Sequence, residues 1–185
     1  MIYVKIKIIQ FEYTLRYEVE NSSLTEEQVF ERMRKTLQVM QHSANYALEN
    51  NVKSVSGLIG GDAIKLNKYA ENNNTLTGKF MVKAMARALS SSEVNAAMGK
   101  IVACPTAGSC GIVPAVIISA GEKLGKSEDD LVKALLTVSG IGMLIAKNAT
   151  VSGAEGGCQA ECGSAAAMAS SAVVEMMGGT VEQAL

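Results

Sequence analysis

"SEDDLVKALLTVSGIGMLIA", residues 127–146, is the stretch on which the fold class turns. Ser127 stands directly before Glu128, Asp129 and Asp130. A hydroxyl acceptor followed by carboxylates suits the unpaired N–H groups and partial positive charge of a helix start. From Leu131 to Ala146 apolar residues fall on nearly every side, which predicts a helix central to the core. The runs Ala134–Ala146 and Gly111–Gly121 are too short to cross a bilayer, which takes roughly 20 residues, so both read as buried helices.

The same signals extend outward along the chain. Thr25 and Gln28 have capping-box spacing, Leu24 and Val29 that of a hydrophobic staple, and Val29, Met33, Leu37, Met40, Ala44 and Ala47 recur at steps of three and four; 25–49 is therefore an amphipathic helix. "SVSGLIGGD" (54–62) reads as a loop, and "NNN" (72–74) as a turn before a helix over 78–89, with another short helix over 92–100. "CPTAGSCG" (104–111) opens a helix to about Lys123, and Cys158–Met177 forms an Ala-rich helix stopped by "GG". Residues 2–19 are strand-like in composition, though their alternation is imperfect, so the N-terminal stretch is expected to be extended. The whole reads as all-α: a compact bundle of small-residue-rich helices with glycine-rich loops at helix N-termini.

Composition agrees. Hydrophobic residues make up 48% of the 185, aromatics only 4%, and Trp is absent, so Ala, Met and Gly carry an interior suited to close helix–helix packing. A net charge of −1 leaves no electrostatic footprint for nucleic acid or an anionic membrane. The N-terminus carries scattered charges and no clean apolar run, unlike a secretory signal, which points to a cytoplasmic location. There the four cysteines read as metal ligands, reactive thiols or small core residues rather than disulfides.

Two loops have the form of a site. "PTAGSCG" (105–111) and "SGAEGG" (152–157) each precede an apolar helix, where free N–H donors and glycines can cradle a carboxylate or phosphate. Neither is a P-loop, and taken singly their glycines are better explained by tight turns and helix packing. Cys158 and Cys162 share a helix face, and Cys158 lies in the first turn, where thiolate is favoured. Cys104, Cys110 and Cys162 read best as inert core thiols, whereas Cys158 stands evenly between core and site. Glu155 and Glu161 read as helix-start carboxylates satisfied by backbone N–H groups.

Spelling carries further than spacing. "SVSGLIGGDAIKL" (54–66), "AMARALSSSEVNAAMGKIVACPTAGSCGIVPAV" (84–116) and "GMLIAKNATVSGAEGGCQAECGSAAAMASSAVVEMMGGT" (142–180) closely resemble the α chain of the iron–sulfur-dependent bacterial L-serine dehydratases. The resemblance implies a divergent extension over 1–23 and a helical catalytic domain over 24–185 that stops short of the family's C-terminal part. It implies a [4Fe–4S] cluster on three cysteines, of which Cys158 is one; the other two belong to a later segment, so Cys104, Cys110 and Cys162 are not ligands. The implied reaction is elimination of water from L-serine and hydrolysis of the product to pyruvate and ammonia. An open iron acts as Lewis acid on the hydroxyl, a β chain is the expected partner, and the base is unassigned. The resemblance, together with the helix-terminus argument, makes Thr106, Ser109, Asn148, Ser152 and Gly153 the candidates for holding substrate.

Three rivals are weighed against this. A pyridoxal-phosphate lyase using Lys147 would need strand–helix alternation that the chain lacks. A cluster enzyme releasing sulfide from L-cysteine would use the same open iron, and an inactive fragment would only bind the β chain. With one ligand position in 185 residues, the isolated chain is expected to be inactive.

Overall fold

The computed structural model describes residues 10–72 and 74–185. It is all-α, with no strand among the described residues: α1 Gln10–Asn21, α2 Glu26–Glu49, α3 Asp62–Asn72, α4 Gly78–Ala96, α5 Ile112–Leu124, α6 Glu128–Asn148, α7 Gly153–Gly156, α8 Cys158–Met176 and α9 Val181–Ala184. Two starts are set by local chemistry. Thr25 Oγ1 accepts the Gln28 N–H at 3.3 Å while Gln28 Oε1 accepts that of Thr25 at 2.9 Å, and Ser127 and Asp130 repeat this reciprocal pairing at 3.2 and 3.0 Å.

The first half of α6 is the centre of the molecule. Leu131, Val132, Leu135, Val138 and Ile141 pack among Leu37 and Met40 of α2, Val113 and Ile117 of α5, and Ala165, Met168, Ala169 and Ala172 of α8. Leu136 points the other way, to Leu15 and Val29. Burial does not continue to Ala146 as the hydropathy suggests: beyond Ile141 the helix emerges, and Leu144 is 52% exposed. There it borders an open groove of about 490 Å³ shared with Ala167, Ser171 and Leu185.

The extended reading of the N-terminal stretch is corrected over residues 10–19, which lie in α1; residues 2–9 fall outside the described residues. Phe11, Leu15 and Val19 recur every four residues, and that face packs on Leu136 and Val29. The gain from burying a helical stripe outweighs a strand-like composition. Gln10 Oε1 accepts the Ser171 hydroxyl at 3.0 Å, and Glu175 Oε1 accepts the Phe11 N–H at 3.4 Å, which fixes α1 to α8. Burial pushes the Glu175 carboxyl above the usual range, against the opposing effect of a hydrogen bond from Thr137.

Two further differences have a tertiary origin. Helix α3 replaces what reads as a span between a loop and a turn: its first N–H groups, on Asp62 and Ala63, are accepted at 2.7 and 2.9 Å by Glu93, which lies on α4. The separate helices expected at 78–89 and 92–100 are one helix to Ala96. The Ser90 hydroxyl donates to the Ser43 carbonyl at 2.7 Å and accepts the Ala47 N–H at 2.9 Å, so it stitches α4 to α2 instead of breaking α4.

Where α4 crosses the start of α5, Gly111 is buried against the backbone of Ala88, and a Cβ there would fall well inside contact distance of the Ala88 carbonyl oxygen. A backbone wall cannot turn aside as a side chain can. Gly111→Val is therefore expected to destabilise the fold by about 2–3 kcal/mol, read as a lower midpoint in urea, and an unchanged midpoint would show that the crossing has slack.

Candidate active site between two glycine-rich loops

The loop before α5 is wound on its own hydroxyls. Ser109, 2% exposed, has its Oγ within 3.2 Å of the Cys104 carbonyl and of Thr106 Oγ1, and the Thr106 N–H reaches that Oγ at 3.3 Å. Asn95, near the end of α4, donates to the Ala107 carbonyl at 3.1 Å and ties this loop to the neighbouring helix. The second loop holds itself likewise: Thr150 Oγ1 donates to Glu155 at 2.7 Å and accepts the Ser152 N–H at 3.1 Å. Gly157, with φ of 76°, then turns the chain into α8 with no side-chain cap on the new helix.

Glu161 joins the two loops. Its Oε2 accepts the Thr106 hydroxyl at 2.6 Å, across 55 positions of sequence. A Cβ on Gly108 would lie 2.6 Å from its Oε1, and one on Gly153 would lie 2.9 Å from its Oε2. The carboxylate thus occupies a slot that only glycines leave open. The reading of Glu155 and Glu161 as carboxylates met by backbone N–H groups is corrected: each accepts a threonine hydroxyl. Motif reading gave Glu161 no role in joining the loops, and its one signal is a carboxylate three positions after Cys158 on an Ala-rich helix whose other charge is Glu175.

The four thiols sort by environment. Cys104 and Cys110 are buried, and burial pushes the Cys104 thiol up to about 11 and the Cys110 thiol upward. Both are protonated and inert near neutrality, as expected. Cys158 is exposed at the start of α8, with its Sγ 3.7 Å from that of Cys162. Cys162 is not the inert core thiol it resembles in sequence, because it is only half-buried and borders Cys158; burial first, then the neighbouring thiol, raise it. The donor set fits one corner of an iron–sulfur cluster: Cys158 is open to it, whereas Cys104 and Cys110 are withheld.

The predicted substrate residues do not all meet. Thr106, Ser109 and Gly153 gather around Glu161, and Ser152 adjoins them as the residue preceding α7, its carbonyl accepting the Glu155 and Gly156 N–H groups at 3.2 and 2.9 Å. Asn148 instead closes its own helix, donating to the Leu144 carbonyl at 2.7 Å, and borders the groove with Ala167 and Ser171.

The sequence that builds these loops has relatives. A sequence model of the family described as "Serine dehydratase alpha chain" matches residues 6–185. The chain belongs to that family. It is 49% identical over 175 residues to the L-serine dehydratase, alpha chain, of Peptoniphilus asaccharolyticus, covering 95% of this chain and 60% of that protein. It is 43% identical over 177 residues to the probable L-serine dehydratase, alpha chain, of Bacillus subtilis, covering 96% and 59%. L-serine dehydratase 1 of Escherichia coli shares 43% identity over 97 residues, 52% of this chain and 21% of that protein. The chain therefore spans about 60% of the length of these two α-chain relatives. The family match takes in the whole of α1 as well as the site, and no helix among the described residues is long and apolar enough to cross a membrane.

Proposed function

We propose that the chain provides part of the active site of an L-serine dehydratase that converts L-serine to pyruvate and ammonia in the cytoplasm with a β chain as partner. The observation that carries this reading is the closure of both glycine-rich loops on Glu161, with the Cys158 thiol one helical turn away and open. A [4Fe–4S] cluster, when bound, supplies a Lewis acid that lets the β-hydroxyl of serine leave. Cys158 is this chain's thiolate for that cluster.

The other roles belong to the loops. The N–H groups at the start of α8 have no side-chain cap and the Ser152 hydroxyl caps no backbone group, so these receive the substrate carboxylate, while Thr106, whose proton goes to Glu161, holds the facing loop beside them. Ser109, whose hydroxyl is committed within its own loop, sets the shape of that loop. Asn148 is placed to orient the end of α6. Glu161 holds the loops at a fixed separation.

On this reading the cluster's further ligand cysteines come from the part of the α-chain relatives that this chain does not span, so the test uses a polypeptide that joins this chain to that α-chain segment, with the β chain present. After anaerobic reconstitution, close to four irons per chain and pyruvate release from L-serine are the expected results. Iron uptake without pyruvate from serine, or faster turnover of L-cysteine with sulfide release, would overturn the substrate assignment.

A further inference from the structure

Cys162 lies outside the ligand set of the cluster reading, yet it is held against Cys158. Their Sγ atoms are 3.7 Å apart, and one carboxylate oxygen of Glu161 completes a group whose three donor atoms all lie within 4.8 Å of one another. Helical spacing explains the grouping, since positions i, i+3 and i+4 share a face. A tetrahedral ion bound at about 2.3 Å by two thiolates needs their sulfurs about 3.8 Å apart, the edge of that tetrahedron. The observed separation matches that edge with no change of backbone.

The third donor is already fixed in place. Glu161 accepts the Thr106 hydroxyl at 2.6 Å and is walled by Gly108 and Gly153, the kind of outer support that orients a ligating carboxylate. Two sulfurs and one oxygen exclude the oxygen-seeking cations magnesium and calcium and select a borderline-soft ion that accepts four ligands. Cys158 is exposed, so the fourth position opens to solvent.

We propose that Cys158, Glu161 and Cys162 form a mononuclear site for a thiophilic divalent cation of the zinc type, with water as fourth ligand. Binding displaces the two thiol protons to solvent and leaves two thiolates, one carboxylate and one water on the ion. The site shares Cys158 with the proposed cluster, so the two occupancies exclude one another: a zinc-loaded chain takes up no cluster. That consequence rests on the dehydratase reading; the cation site itself does not.

The test is a titration of the reduced, metal-free 185-residue chain with cobalt(II), followed by displacement with zinc. The expected result is one cobalt per chain, with tetrahedral d–d bands and thiolate-to-cobalt charge transfer, all lost on adding one equivalent of zinc. Cys162→Ser should remove about half of the charge-transfer intensity. Thr106→Val, which keeps all three donors but releases the carboxylate, should weaken zinc binding by roughly tenfold or more with an unchanged circular dichroism spectrum. Zinc should also protect both Cys158 and Cys162 from alkylation, a readout that needs no variant. Absence of charge transfer in the parent chain, its persistence at full strength in Cys162→Ser, or protection of Cys158 alone would overturn the proposal. Because the titration reads metal and not pyruvate, its failure leaves the dehydratase reading standing, and the reverse holds.

Discussion

Replacing Cys158 with Ala in the full-length, cluster-loaded enzyme is expected to lower L-serine turnover by roughly a thousandfold or more, equivalent to about 4 kcal/mol of transition-state stabilisation. Hydroxide is a poor leaving group at neutral pH, and without a Lewis acid the loops alone offer hydrogen bonds to a carboxylate that is present in both ground and transition states. The loss should appear together with loss of iron and sulfide from the protein. Stability should not follow, because Cys158 is exposed at a helix start and its one side-chain contact of note is Cys162. A melting curve of the cluster-free variant within about 0.5 kcal/mol of the cluster-free parent would separate the chemical role from a structural one. Retained turnover with four irons bound would remove Cys158 from the site.

The second large effect concerns the fold. Leu135 is 2% exposed at the meeting of α2, α5, α6 and α8, and Leu135→Asp places a carboxylate there with no cation or hydrogen-bond donor arranged to receive it. The cost is expected to be about 4 kcal/mol or more, a large part of the roughly 5–15 kcal/mol that holds a domain together. Leu144→Asp is the control on the same helix: at 52% exposure it should cost about 1 kcal/mol or less. Thermal unfolding followed by helical circular dichroism reads both, and similar melting of the two variants would contradict the position of the core.

Burial along α6 shows how far hydropathy reaches. The apolar run Leu131–Ala146 has a single character in sequence, but only its first half has helices on several sides, so Leu135 is enclosed while Leu144 borders an open groove. Hydropathy states what a segment can bury. It does not state how many neighbours arrive to bury it.

Sequence by itself determined the elements whose causes lie within one helical turn: the reciprocal caps of Thr25 with Gln28 and Ser127 with Asp130, the stripe from Val29 to Ala47, and the glycine-rich entries to α5 and α8. The motif spelling around Cys158 likewise led to the family. The tertiary structure decided the rest. Helix α3 starts on a carboxylate 31 and 30 positions further along the chain, at Glu93, and α4 passes through its serines because α2 accepts the Ser90 hydroxyl. The site has the same origin: Thr106 and Glu161 are 55 positions apart, and the space that Gly108 and Gly153 leave is filled by the Glu161 side chain from another helix. A residue pattern records hydrogen bonds that close within about four positions, whereas a contact between distant segments exists only after the helices that carry them have packed.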